Sequence, residues 1–282
     1  SNGAYYQNYS ISFEEPWMGG RKPNSFSISL WKTIQSFETD ENQSKMDISG
    51  LSIGFGKRLT WPDDYFTITH SINLQRYNLE NYQTSLFDFN DGFSNNINYA
   101  TTFSRNSIFN PIYPRSGSKF TMYLELTPPY SLFNNINYET DADQKKYKFL
   151  EYNKFKMNGT WYNTLLGDLV LRTHFELGFL GTYNSNVGLP PFERFFVGGD
   201  GLSGYSIDGR EIIALRGYPN GSLSGSSGDA LYSKYNIELR YPISLNPNST
   251  IYALLFGETG NSWSDYNNFN PFELRKSLGG GI

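Results

Sequence analysis

The stretch "LVLRTHFELGF", Leu169 to Phe179, alternates in a way that suits only an extended chain. Leu169, Leu171, Phe175, Leu177 and Phe179 share one parity, while Arg172, His174 and Glu176 share the other. Successive side chains of a strand point to opposite faces, so this segment carries one apolar face and one charged face. "FTITHSINLQRY" repeats the pattern, with Phe66, Ile68, His70, Ile72 and Leu74 against Thr67, Thr69, Ser71, Asn73 and Gln75. In "SFSISLW" Phe26, Ile28 and Leu30 oppose three serines, and in "TMYLELT" Met122, Leu124 and Leu126 oppose Tyr123 and Glu125. "YNIELRY" sets Tyr235, Ile237, Leu239 and Tyr241 against Asn236, Glu238 and Arg240.

The same reading along the chain predicts about eleven strands, at roughly 5–13, 24–36, 48–59, 64–77, 96–104, 118–127, 146–156, 165–180, 231–242, 250–258 and 274–282. Turn residues separate them, in "MGGRKPN" at Met18, "TWPDD" at Thr60, "NPIYPRSGS" at Asn110 and "NPN" at Asn246. Short turns alternate with longer connections, as in a meander of hairpins, and no shift of composition marks a second domain. The longest apolar run, "IYALLF" at Ile251 to Phe256, is six residues. A membrane-spanning helix needs about 20.

Composition narrows the function. The 282 residues hold 23 basic and 27 acidic side chains, a net charge of -4, which predicts no nucleic-acid partner. With no cysteine there is neither a disulfide framework nor a thiolate metal site. Aromatic residues make up 17% of the chain, high for a soluble core, and Trp17, Trp31, Trp61, Tyr65, Tyr241 and Trp263 fall near predicted strand ends. A soluble β-sandwich would bury one face of each strand and wet the other. A transmembrane antiparallel β-barrel would turn the apolar face to lipid and the polar face to a wet lumen, between aromatic girdles. The girdle pattern and the charged inner parity favour the barrel.

Neither a catalytic group nor a metal site or cofactor site emerges. The two histidines, His70 and His174, are 104 positions apart, and His70 and its neighbour Ser71 fall on opposite strand faces. "VGGDGLSG" at Val197 lacks the Gly-Lys-Ser/Thr of a phosphate loop and reads as a structured turn. Asp63, Asp64, Asp141 and Asp143 sit where Asp serves turns. The exception to a bland account is the connection at about 181–230: connections beyond about 15 residues are uncommon in compact folds unless functional. Its run "PFERFFVGGDGLSGYSIDGREIIALRGYPNGS" holds too many large apolar residues for a disordered segment, which predicts that it folds onto something.

That connection carries a resemblance. "PFERFFVGG" at Pro191 to Gly199, followed by "LRGY" at Leu215 to Tyr218, resembles the BamA family of outer-membrane assembly factors and its two-partner secretion relatives. "NPIYPRSGS", "GETGNSW" at Gly257 to Trp263 and "LRKSLGGGI" stand in the family's order, and "EEPWMGGRKPNS" is similar to Bacteroidota members. The resemblance implies a bacterial outer-membrane barrel of about sixteen strands, with residues 1–282 as a partial barrel domain lacking the preceding POTRA domains and its terminal strands. It implies that the long connection folds into the lumen with Arg216, Gly217 and Tyr218 at its tip, Phe192, Arg194, Gly198 and Gly199 supporting it, and Glu258 as its partner on the wall. Tyr252, Leu254 and Phe256 share the parity of Glu258, so alternation alone leaves its direction open. Sixteen residues, Asp200 to Leu215, separate the double glycine from the Arg-Gly-Tyr, more than the resemblance leads one to expect, and predict a displaced or additionally anchored tip. The implied function is insertion of unfolded outer-membrane protein clients into the lipid bilayer, with accessory assembly lipoproteins and without enzymatic chemistry. A two-partner secretion translocator and a passive porin-like channel are the alternatives.

Overall fold

The computed structural model describes residues 5–20, 24–39, 42–82, 89–200, 210–246 and 248–282. Eleven strands form one sheet: β1 (Tyr6–Glu15), β2 (Asn24–Thr39), β3 (Asn42–Arg58), β4 (Phe66–Glu80), β5 (Gly92–Asn106), β6 (Gly117–Leu126), β7 (Asn153–Leu166), β8 (Leu169–Gly181), β11 (Leu231–Asn246), β12 (Ser249–Trp263) and β13 (Arg275–Gly281). Between β8 and β11, two short strands, β9 (Phe195–Val197) and β10 (Glu211–Ile213), pair parallel to each other and stand outside the sheet. Every neighbouring pair of the large sheet is antiparallel and follows chain order, with β8 next to β11. Among the described strands β1 and β13 have one neighbour each.

The long connection shows how the sheet curves. The described residues of the connection touch β4, β5, β7, β11, β12 and β13, through pairs such as Phe192 on Tyr77 and Arg216 on Glu258. One segment can meet the same face of so many strands only if the sheet wraps around it. The inner wall carries an amide ladder: Ser52 Oγ donates to Asn73 Oδ1 at 2.6 Å, Asn73 Nδ2 to Asn98 Oδ1 at 2.7 Å, and Asn98 Nδ2 to Asn96 Oδ1 at 3.1 Å. On the outer face Ile53, Ile72, Ile237 and Leu255 are exposed, as a lipid-facing surface requires. Large buried side chains such as Met46, Leu79, Phe195 and Leu215 cluster instead inside the barrel, where the connection packs on the wall.

The two ends of the barrel differ. At one end the connections are 16–23, 59–65, 107–116, 167–168 and 247–248; at the other, four of five are long, at 81–91, 127–152, 182–230 and 264–274. Exposed aromatics fringe both, with Trp17, Trp61 and Tyr241 at the turn end and Phe133 and Phe272 at the loop end. Two of the tryptophans expected in this fringe lie elsewhere. Trp263 is covered by Phe269, and Trp31 lines the lumen beside Asn73 and Asn98.

One strand is misplaced in the sequence reading. Of the expected segment 146–156 only residues 153–156 are strand: Asp143–Lys146 forms a single helical turn, α1, and β7 begins at Asn153 and runs on to Leu166. The outward parity of β7 runs Phe155, Met157, Gly159, Trp161, Asn163, Leu165, so Gly159 and Asn163 break the apolar alternation that identifies the other strands. "KYKF" at Lys146 to Phe149 alternates well, yet Phe149 makes only a single parallel bridge, to Asn95. The eighth strand correspondingly starts at Leu169, after a turn at Gly167.

Candidate functional site

The tip of the long connection closes on β11, β12 and β13. Arg216 Nη2 donates to Glu258 Oε1 at 2.6 Å and to Glu238 Oε1 at 3.0 Å, and the Arg216 backbone N–H donates to Glu258 Oε2 at 2.9 Å. Its guanidinium lies over the ring of Phe256, 3.5 Å from the centroid. Asn236 Nδ2 adds a bond to Glu258 Oε1 at 3.1 Å, while Arg240 and Arg172 hold Glu238. Tyr252, Leu254, Phe256 and Glu258 thus share the inner face of β12, and the apolar members serve as the floor on which the guanidinium rests. Burial works against the charge on Arg216, but Glu258 and Glu238 outweigh it and hold its pKa above the ordinary arginine value.

Backbone geometry brings the tip to this position. Gly217 has φ 87°, and a β-carbon there would stand 3.1 Å from Cβ of Ser277 on β13. Tyr218 crosses to the same strand, its hydroxyl donating to the carbonyl of Lys276 at 2.9 Å. Gly199 N–H donates to the Tyr218 carbonyl at 3.0 Å, and Gly198 N–H to that of Ile213 at 2.9 Å, so the double glycine and the tip are stitched directly together. Gly198 has φ 125°, and a β-carbon there would lie 2.4 Å from the Pro219 carbonyl oxygen. Gly198→Ala is therefore expected to displace the tip and to destabilise the folded barrel by about 1–3 kcal/mol, the range for a residue forced into a glycine-only conformation, as read by urea unfolding in detergent. Unchanged stability would show that the tip can shift without cost.

The other support residues lie deeper. Phe192 stacks on Tyr77 of β4 with centroids 4.0 Å apart, and Arg194 Nη2 donates to the Leu189 carbonyl at 2.8 Å. Neither touches Arg216. What the sequence reading missed is a second anchor, on β5 and β7. Lys154 Nζ, nearly fully buried, stands 2.6 Å from Glu211 Oε2 and 3.1 Å from Glu193 Oε2. Lys156 Nζ takes the other Glu211 oxygen at 2.8 Å, and Asn96 Nδ2 donates to Glu193 at 3.1 Å. These groups border a lumenal cavity of about 390 Å³ with Tyr123 and Glu125.

The separation of Asp200 to Leu215 gains a partial account from this anchor. Residues 201–209, with the second half of "VGGDGLSG", lie outside the described residues. The return limb is β10, whose Glu211, Ile212 and Ile213 pair with Phe195, Phe196 and Val197. It buries Ile213 and Leu215 and delivers Glu211 to the two lysines. The sequence signal was present in the inner parity of β7, where Lys154 and Lys156 alternate with Phe155 and Met157.

The histidines have ordinary surroundings. His70 faces outward, its Nδ1 2.6 Å from the Tyr99 hydroxyl and 3.0 Å from Thr101 Oγ1. His174 faces the lumen between Thr160 and Glu176.

An antiparallel barrel whose lumen holds an inward-folded, arginine-tipped connection now stands beside a sequence that matches the Omp85 superfamily domain over residues 1–282. The chain belongs to the Omp85 superfamily. Its fold is similar to that of BamA from Haemophilus ducreyi lacking POTRA domains 1-3, with a TM-score of 0.71 at 16% identity over 98% of this chain and 55% of that one. CdiB from Escherichia coli is more distant, with a TM-score of 0.53 at 11% identity over 98% of this chain and 45% of that one. This Omp85 chain therefore spans about half the length of the solved structures it matches. Among curated proteins no match is found.

Proposed function

We propose that this Omp85 barrel belongs to an outer-membrane assembly factor that folds and inserts client outer-membrane proteins. The observation that carries the reading is the doubly anchored connection inside the lumen, with Arg216 on Glu238 and Glu258 and Lys154 on Glu193 and Glu211. A barrel whose interior is filled and tied to its own wall is poorly suited to passive conduction. It is well suited to keeping the strands rigid while work is done at the sheet and in the surrounding bilayer. On this reading the chain lies in the bacterial outer membrane with its short-turn end towards the periplasm. The barrel is then completed to about sixteen strands and preceded by POTRA domains, with accessory lipoproteins as partners. The work is templated strand pairing without a cofactor: a client strand pairs by main-chain hydrogen bonds and buries its apolar face in lipid.

Depletion of the full-length protein in its native cell is expected to lower many outer-membrane barrels together, read by quantitative proteomics of outer-membrane fractions. Loss of a single secreted protein with all other barrels unchanged would replace this reading with a two-partner secretion translocator.

A further inference from the structure

The outer face of β1 to β5 is not a uniform lipid-facing surface. Cross-strand register places Ile11, Leu30, Leu51, Leu74 and Ile97 in one continuous transverse row. Ile28, Ile53 and Ile72 align in the next row towards the turn end. One step towards the loop end, the row reads Tyr9, Lys32, Ser49, Arg76 and Asn95. Apolar character therefore gives way within one pleat to hydroxyl, amide and cation. A concavity of about 780 Å³ opens on this boundary, lined by Leu30, Leu51, Leu74 and Ile97 below, by Lys32 and Arg76 above, and by Phe149 at its side.

The cations of this boundary are unequally satisfied. Lys32 Nζ is paired with Asp47 at 2.8 Å. Arg76 has no carboxylate within ion-pair distance among the described residues; its guanidinium lies 4.2 Å from the centroid of Phe93. Lys148, which follows α1, reaches the same ring, 5.8 Å from its centroid, and is likewise without a carboxylate among the described residues. Its segment is fixed against the barrel wall, because Asn95 Nδ2 donates to the Lys148 carbonyl at 3.1 Å and Leu150 N–H to the Asn95 carbonyl at 2.9 Å. Two exposed, uncompensated cations thus converge on one aromatic ring at the edge of an apolar groove.

We infer that this groove binds a phosphorylated lipid, its phosphate between Arg76 and Lys148 and its acyl chains along Leu30, Leu51, Leu74 and Ile97. Charge complementarity commits the occupant to an anionic headgroup, since among the described residues that line the groove there is no carboxylate, and the nearby Asp47 is already engaged by Lys32. Contiguity of the cations with an aliphatic row commits it to a lipid rather than a free anion. The inference rests on the transmembrane fold and is independent of whether the protein inserts or exports clients.

The test is native mass spectrometry of the detergent-solubilised protein titrated with phosphatidylglycerol, phosphatidylcholine or glycerol 3-phosphate. Phosphatidylglycerol is expected to be retained at least about tenfold more tightly than phosphatidylcholine, a factor equivalent to one charge-assisted contact. Arg76→Gln combined with Lys148→Gln is expected to abolish that preference while preserving the heat-modifiable mobility of a folded barrel. Equal retention of the two lipids by the unaltered protein would overturn the inference without any variant. So would an undiminished preference in a folded double variant, or competition by glycerol 3-phosphate as effective as by the lipid. A tightly co-purifying polypeptide that covers the groove and excludes lipid would mark it as a protein interface instead.

Discussion

Arg216→Met is expected to destabilise the barrel by about 3 kcal/mol, the lower end of the range for breaking a buried ion pair. The lower end applies because the arginine side chain is itself 33% exposed, so water screens part of the interaction, whereas Glu238 and Glu258 are almost fully buried. The two carboxylates do not lose equally. Glu238 keeps Arg240, with contacts of 2.9 and 2.5 Å, and Arg172 at 3.3 Å. Among the described residues Glu258 keeps only the backbone N–H of position 216 and Asn236, and it is the charge left without a cation. Adding Glu258→Gln should therefore restore stability to Arg216→Met, because a neutral amide can stay bonded to Asn236 without a counter-charge. Urea unfolding of the four proteins of this cycle in detergent is expected to give a coupling of about 1–3 kcal/mol. Additive losses would show that Glu258 is not the partner that matters.

Lys154→Met is expected to have a comparable or larger effect, about 3–5 kcal/mol, because the ammonium is buried between two carboxylates that both belong to the connection. Met keeps much of the stem volume and the contact with Phe195, which lies 4.9 Å from the ammonium, so the loss reports charge rather than packing. After the change Glu211 retains Lys156, but among the described residues Glu193 retains only Asn96. Burial is the largest influence on Glu193 and already holds its carboxyl above the ordinary glutamate range against the pull of Lys154. Without the lysine Glu193 should take up a proton, so the variant should recover stability as pH falls. Burial acts the same way on Glu211, but Lys154 and Lys156 outweigh it and hold its pKa below the ordinary value. In the unaltered protein, then, the share of stability from Glu211 is present at neutral pH and lost as pH falls through its folded value. Adding Glu193→Gln to Lys154→Met is expected to remove the variant's gain at low pH. Persistence of that gain in the double variant would assign it to another group.

The two anchors differ in how far the sequence revealed them. Arg216 and Glu258 were singled out through the order of short motifs, whereas Glu238 was seen only as one more inward charge on its strand. Lys154, Glu193 and Glu211 went unremarked, because the alternation of β7 is interrupted at Gly159 and Asn163 and the strand was set several residues early. Glu193 stands inside the very motif that carried the resemblance, but nothing local distinguishes a glutamate bonded to the wall from one facing water.

Alternation and composition by themselves determined that this chain is a meander of long strands, which parity faces lipid on the strands with one charged face, though not on β12, and that the connection after β8 is too apolar to remain loose. These are local properties: the two-residue period and the burial preference of each side chain are set by neighbours along one strand. Only the tertiary structure decided which charges meet. Glu238 and Glu258 become level with one guanidinium through the pairing of Asn236 with Glu258 across β11 and β12. The parallel pairing of β9 with β10 carries Glu211 to lysines 55 and 57 positions earlier in the chain. Register between strands and the path of a connection through a filled lumen are long-range quantities. They are fixed by where every other side chain must fit, and no window of sequence contains them.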